Sequence, residues 1–260
     1  MSQLLTDQTA VVTGGASGIG RRIALTFADH GADVVVADVR KKPREGGEPT
    51  HEQITIETDQ TAVFVECDVT ERADLETAVE ATEELGGLDI MVNNAGIHSE
   101  TPFFEITEEE YHQLMDINVK GAFFGAQVAG ERLIENEDGG TIINMASLAA
   151  DQGAAYQTIY TASKGAVKSL TYALADVFGG HGVRVNAIKP SFTETQMLEQ
   201  GGMGEGEAGK QLQEAMLGAT PAGRFGQPEE IANVALFLAS ELSSYVNGES
   251  ISVDGGLGNT

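Results

Sequence analysis

Short apolar runs and longer amphipathic stretches take turns along this chain. "QTAVVTGG" (8–15) is a brief apolar run that ends in glycines. "SGIGRRIALTFADHG" (17–31) follows with helical spacing and a terminal glycine, Gly31, suited to close a helix. "ADVVVAD" (32–38), "AVFVECDV" (62–69), "LDIMVNNAG" (88–96), "GGTIINMAS" (139–147), "VRVNAIKP" (183–190) and "ESISVDGG" (249–256) read as six further strands. Between them the pattern predicts helices over "ERADLETAVEATEELG" (71–86), from about Glu108 to Glu135, over "YTASKGAVKSLTYALADVFGGHG" (160–182) and over "PEEIANVALFLASE" (228–241), with Pro228 near the start of the last.

The predicted strands are apolar on both faces and alternate with helices. That pattern predicts a parallel sheet covered on both sides: an α/β fold, one doubly wound Rossmann-type domain over residues 1–260, with a mostly parallel sheet of seven strands. There is no internal repeat and no interdomain linker. Two stretches break the rhythm. "RKKPREGGEPTHEQITIETDQ" (40–60) is polar and reads as a surface excursion. The glycine-rich 198–216 reads as a mobile flap over a site.

Composition narrows the setting. The 260 residues are 41% hydrophobic, enough for a core, yet no apolar run is long enough to span a bilayer. The N-terminal "MSQLLTDQTAVVTGG" lacks the basic-then-apolar layout of a signal peptide, and the single cysteine, Cys67, forbids an internal disulfide or a cysteine-rich metal site. A cytoplasmic protein with no metal and no membrane partner is expected. Forty Asp+Glu against 15 Lys+Arg leave a formal charge of −25, which should repel nucleic acid. The acids are spread along the chain rather than gathered in a tail, and the periodic segments argue against disorder. A surface built for molar salt, where self-repulsion is screened, is expected, and with it a halophilic source.

Candidate chemistry begins at "TGGASGIG" (13–20), between the first strand and the first helix. Glycines at 14, 18 and 20 let the backbone turn tightly and approach a pyrophosphate, to which the helix start offers N–H groups and a positive dipole end. The spacing is G-x-x-x-G-x-G rather than G-x-G-x-x-G, so the turn alone is weak evidence and its strand–turn–helix context carries the weight. The second strand ends in Asp38. A carboxylate there can accept from both ribose hydroxyls of an adenosine and would repel a 2′-phosphate, so NAD is favoured over NADP; Arg40, Lys41 and Lys42 just downstream oppose that preference.

A second constellation is "YTASK". Tyr160 and Lys164 stand at i and i+4 and share one helix face. Spacing alone allows either a surface pair or a phenol whose ordinary pKa of ~10 is drawn down by an ammonium.

In order and spacing these motifs resemble the classical short-chain dehydrogenase/reductase family over nearly the whole chain. TGGASGIG is similar to its cofactor turn, "CDVT" (67–70) to its adenine contact, "NNAG" (93–96) to the turn after the fourth strand, and "NVKG", "NMAS" and "YTASK" to its catalytic segments; "SVDGG" is similar to its final strand. The resemblance implies a catalytic set of Asn118, Ser147, Tyr160 and Lys164. Tyr160 would be the general acid/base, with Ser147 on the substrate oxygen, Lys164 on the nicotinamide ribose and Asn118 holding a water near Lys164. It implies cofactor contacts at Gly14, Ser17, Gly18, Ile19, Gly20, Asp38, Asp68, Val69, Asn94, Ala95, Gly96, Tyr160, Lys164, Pro190, Thr193 and Thr195. It also implies a homotetramer formed through the long helices and the last strand. One departure is "KPSFTET", where Ser191 stands in place of the family's usual glycine.

What the resemblance implies is reversible hydride transfer between a secondary alcohol and a nicotinamide cofactor, with a small-molecule substrate. Residues 98–104, 148–157 and 192–216 are expected to wall the pocket. The polar, small-residue flap favours a sugar or sugar-acid dehydrogenase. A 3-oxoacyl thioester reductase is the alternative enzyme, and an NAD-binding sensor without catalysis the alternative of another class. Tyr156 and His98 are further pocket candidates, although a loop histidine is commonly solvent-facing, and Phe123–Phe124 reads as core or subunit contact.

Overall fold

The computed structural model describes residues 3–136, 138–196 and 207–259. Seven strands appear where the apolar runs predict them: β1 (Thr9–Thr13), β2 (Asp33–Asp38), β3 (Ala62–Glu66), β4 (Ile90–Asn93), β5 (Gly140–Met145), β6 (Val183–Pro190) and β7 (Ser250–Val253). They form one sheet in the order β3-β2-β1-β4-β5-β6-β7, and every pairing is parallel. Parallel neighbours need long crossovers, which the helices supply: α1 (Gly18–Asp29), α2 (Thr50–Glu57), α3 (Arg72–Glu80), α4 (Glu108–Met115), α5 (Gly121–Leu133), α6 (Thr158–Gly179), α7 (Glu207–Ala219) and α8 (Pro228–Ala239).

Strand alternation divides the core in two. Ala10, Val12, Val34, Val36 and Ile143 face α1 and α8, where Ile23, Phe27, Ile231 and Leu238 pack. Their strand neighbours Val11, Val35 and Ile142 face the opposite way, onto Leu75, Ala126 and Leu133 of α3 and α5. Both faces are dry, which is why the strands read as continuous apolar runs.

Two predicted regions come out differently. The polar excursion contains a helix, α2, whose Ile54 is fully buried in the core. Two isoleucines two residues apart, Ile54 buried and Ile56 exposed, give too little helical periodicity to announce a helix, but the burial of Ile54 anchors the segment. The long helix from 108 is interrupted. Thr107 caps α4 by accepting from the Glu110 N–H at 3.2 Å, and a single wide π turn at Asp116–Lys120 then separates α4 from α5. Such turns insert a residue into a helix and commonly mark functional positions. Of the expected flap, 197–206 lies outside the described residues, and 207–219 is helical.

The chain runs outward from β1 to β3 and then crosses back to β4, on the other side of β1. Beyond the carboxyl ends of β1 and β4 the two directions of winding part, and a crevice opens. The segments after β1, β2, β3, β4, β5 and β6 all end on that edge.

Candidate active site

The glycine turn is built by close approach. Gly14 takes φ +64, and a Cβ on it would stand 2.9 Å from Asn94 Nδ2; a Cβ on Gly20 would run into the Gly14 carbonyl oxygen and Asn94 Nδ2. Gly18, at φ +56, is different. A side chain there would meet nothing nearer than Thr195, at 3.8 Å. The turn is therefore locked from below and open above, a cradle walled by Thr195. Asp38, at the tip of β2, accepts from the Ala16 N–H and from the Arg40 N–H, both at 3.1 Å. These residues fit a dinucleotide: backbone donors at a helix start, with a carboxylate one strand away. Ile19, the second residue of α1, packs against the core.

A second acid has entered the cradle. The Gly18 N–H donates to Glu45 Oε1 at 3.0 Å, and the Arg44 N–H donates to Ser17 Oγ at 2.8 Å. Gln196 Nε2 donates to the Arg44 carbonyl at 2.9 Å, tying this loop to the segment after β6. Sequence reading treated 40–49 as solvated loop; charge and composition gave no signal that Glu45 would reach back to the turn. Of the downstream cations, Lys41 is paired with Glu52 at 3.0 Å.

The other contacts implied by the family pattern are placed as follows. Asp68 is exposed, and its Oδ1 accepts from the Thr70 N–H (2.9 Å) and hydroxyl (2.8 Å). Val69 is buried. The Asn94 amide donates to the Thr13 carbonyl at 2.9 Å, so its side chain ties β4 to β1. Ala95 donates its N–H to the Thr13 hydroxyl at 3.1 Å. Gly96 lies against Asn118 and Lys164: a Cβ there would stand 3.2 Å from Asn118 Oδ1 and 3.4 Å from Lys164 Nζ. Pro190 ends β6, and Thr193 is buried, its hydroxyl donating to the Ser191 carbonyl at 3.3 Å. Among the described residues only Asp7 has positive φ without being glycine, so Ser191 sits in an ordinary conformation and carries no backbone strain.

On the β5–α6 side, Ser147 follows β5, accepts from the Ala149 N–H at 3.1 Å and hydrogen-bonds the Tyr160 phenol. Lys164 is buried and donates to the Met145 carbonyl at 2.8 Å; its Nζ is 5.8 Å from the Tyr160 ring centre. Thus β5 and α6 bring Ser147, Tyr160 and Lys164 together. The expected electrostatics are inverted by desolvation. Burial pushes the Tyr160 phenol up, with the Ser147 hydrogen bond opposing it, and burial brings the Lys164 ammonium down to about 8. Lys164 thus supplies a charge at neutral pH without a carboxylate to balance it.

Asn118 lies in the π turn, buried. Its Oδ1 accepts from the Ile97 N–H at 2.8 Å, and its Nδ2 donates to the Ile97 carbonyl at 2.9 Å and to Ser163 Oγ at 3.1 Å. Its side chain grips the β4 loop and ties it to α6. Ser163 in turn donates to the Tyr160 carbonyl at 2.7 Å.

Several supporting residues escaped sequence reading. Asn93 donates to Asn144 Oδ1 at 2.9 Å and Asn144 donates to Thr171 Oγ1 at 3.0 Å, a buried polar rung beneath the site. The signal was present, an asparagine in each of two apolar strands. Asp151 forms ion pairs with both Lys168 and Lys189, fastening the wall after Ser147 to α6 and β6; no spacing rule connects those positions. His98 is half-buried rather than solvent-facing, its ring centre 4.6 Å from that of Tyr160 in an edge-to-face contact. Tyr156 is 64% exposed and Phe123 46%, so neither packs in the core. The Cys67 thiol is pushed up to about 12 by burial and is inert as a nucleophile. Among the described residues no His, Cys, Asp and Glu side chains cluster as a metal site, and no helix is long and apolar enough to cross a membrane.

Comparison with known proteins agrees with this geometry. Residues 14–258 match the family model described as enoyl-(acyl carrier protein) reductase. L-2,3-butanediol dehydrogenase of Corynebacterium glutamicum is 40% identical over 96% of this chain and 98% of its own. Galactitol 2-dehydrogenase of Agrobacterium fabrum is 38% identical over 97% and 98%. The crystal structure of levodione reductase superposes with a TM-score of 0.90 at 32% identity, covering 98% of both chains.

Proposed function

Because this chain belongs to the short-chain dehydrogenase/reductase family of nicotinamide-dependent oxidoreductases, we propose that it is an NAD-dependent dehydrogenase of a sugar or small polyol, with Tyr160 as the general acid/base. The observation that carries this reading is the meeting of Ser147, Tyr160 and Lys164 at the sheet edge where the glycine turn opens. Nicotinamide bound there would accept the hydride of the carbinol carbon and, when oxidised, bring a positive charge to the phenol.

The protein's part is the proton. In ketone reduction the neutral, desolvated phenol is already poised to donate from Oη. In alcohol oxidation Tyr160 must take the hydroxyl proton, which requires the phenolate. Lys164 lies close enough to favour that form, and its ammonium is mostly retained at pH 7. Ser147 holds the phenol and stands where a substrate oxygen would share its hydrogen bond. Asp38 supports NAD over NADP, and the pairing of Lys41 with Glu52 removes one cation that would favour a 2′-phosphate.

Assembly as a homotetramer fits an apolar strip on α5 and α6, where Phe123, Ile134, Tyr172 and Val177 are exposed. The surface charge of −25 supports function at high salt in the cytoplasm of a halophile, with unfolding at low salt as its test. The activity is tested in molar KCl by absorbance of reduced nicotinamide, with NAD and NADP offered separately against polyols, sugars, sugar acids and 3-hydroxyacyl thioesters. Turnover of a polyol or sugar with NAD is expected. Turnover confined to thioesters with NADP would replace this reading by an acyl-thioester reductase.

A further inference from the structure

His98 lies in the loop after β4, with its ring against Tyr160. It follows Ile97, whose N–H and carbonyl are both held by Asn118 at 2.8 and 2.9 Å. It precedes Ser99 and Thr101, whose hydroxyls both donate to Glu110 Oε1 at 2.6 Å. The loop is therefore pinned on both sides of one residue, to the π turn and to α4. Between the pins the imidazole lies edge-to-face with Tyr160, ring centres 4.6 Å apart. Its nitrogens make no hydrogen bond among the described residues. A side chain fixed this firmly, with unused polar atoms beside the proton-transferring group, is built to meet a ligand rather than to hold the fold.

The ligand's chemistry follows from what surrounds the ring. Burial and, to a smaller degree, Lys164 hold the His98 imidazole below its ordinary range, with Glu100 opposing, so it is neutral at pH 7. A neutral imidazole offers one donor and one acceptor, suited to a hydroxyl or a carbonyl rather than to a carboxylate. Lys168 and Lys189 are both engaged by Asp151, and the Lys164 ammonium is buried and bound to the Met145 carbonyl. The contact between the two rings sets the distance. A substrate with its carbinol oxygen on Tyr160 would bring its next carbon toward His98.

We propose that His98 is a specificity residue that hydrogen-bonds the oxygen on the carbon adjacent to the reacting carbinol, so that the enzyme selects neutral vicinal diols and α-hydroxyketones over simple secondary alcohols and hydroxy acids. This rests on the dehydrogenase reading above and narrows its substrate class.

The test compares 2,3-butanediol with 2-butanol, which have the same carbon chain and differ by one hydroxyl. In the wild type kcat/KM for the diol exceeds that for 2-butanol. His98→Phe keeps a ring against Tyr160 but removes its nitrogens, and the diol-to-monoalcohol ratio falls by about tenfold, the worth of one buried hydrogen bond; His98→Gln restores most of it. A second readout needs neither turnover nor a variant. The 15N resonances of the His98 ring, in protein saturated with NADH, shift on adding acetoin and not on adding 2-butanone. An unchanged ratio in His98→Phe, or resonances that do not distinguish the two ketones, overturns the assignment while leaving the dehydrogenase intact. A wild type that binds NADH yet shows no preference for the diol and no resonance shift overturns this assignment, whereas the dehydrogenase reading falls only if the wider panel of polyols and sugars is also inert.

Discussion

The two halves of the crevice achieve their chemistry by opposite means. On the β1–β2 side the candidate groups are backbone N–H donors, held at the surface by glycines that pack onto one another, with carboxylates already resting on them: Asp38 on Ala16 and Glu45 on Gly18. On the β5–α6 side they are side chains withdrawn from water, with an ammonium that has only a carbonyl for company. The first half is neutralised and exchangeable. The second is uncompensated and rigid. Binding energy can be tuned on the first side by swapping one anion for another, whereas on the second the cost of burying charge is the source of reactivity, and it falls on stability.

The sharpest way to break this contrast is Tyr160→Phe. It removes one oxygen from the buried half and should lower kcat by about 10³-fold. NADH affinity, followed by fluorescence, should be retained, because the glycine half is untouched. Parallel loss of affinity would mean that the halves are not separable.

Lys164→Met comes next, with kcat/KM expected to fall by ~10²-fold. Its second consequence is more telling. The ammonium is held at about 8 in the fold against 10.5 in a free chain, so between those pH values the unfolded state binds the extra proton. The penalty is fully present below pH 8 and is relieved as pH rises through 10.5. The variant should therefore melt higher than the wild type at pH 7, by ~2–6 °C, with the difference shrinking at alkaline pH. A lower melting temperature at pH 7 would show that the bond to Met145 outweighs the burial of the charge.

On the exchangeable side the effects are smaller. Asp38→Ser should weaken NADH binding by roughly tenfold and narrow the gap to NADPH, since a carboxylate no longer faces the ribose. Glu45→Gln should act the other way. The Gly18 N–H loses a charged competitor, and NADH should bind about threefold more tightly at low salt, with the gain fading in molar KCl. Weaker binding would instead identify Glu45 as a group that stays to meet the cofactor.

How much of this could be read from the chain depends on where each residue's partners lie. The seven strands were legible because a doubly covered sheet demands continuous apolar runs, and the glycine turn and Tyr160–Lys164 were legible because their partners are local: strand, turn and helix in the first case, one helical turn in the second. Asn118 was legible only through the family pattern, and its grip on Ile97, twenty-one residues away, was not. The π turn beneath it was read as plain helix, since periodicity over 108–135 hardly registers one inserted residue. Helix α2 is hard to read in the sequence because only Thr50 and Ile54 of its residues are buried, too few to make a clear helical period.

The sequence by itself determined the parallel α/β architecture, the edge on which chemistry sits and the residue types assembled there, because hydrophobic period and short motifs act over a few residues. Only the tertiary structure decided the electrical state of the site and its choice of neighbours. The direction of the Tyr160 and Lys164 shifts, the arrival of Glu45 at Gly18, the sharing of Asp151 by two lysines and the seating of His98 against Tyr160 all follow from distances between segments remote in the chain. Desolvation in particular has no signature in a string of letters: the same lysine on a wet helix face would carry its charge without cost.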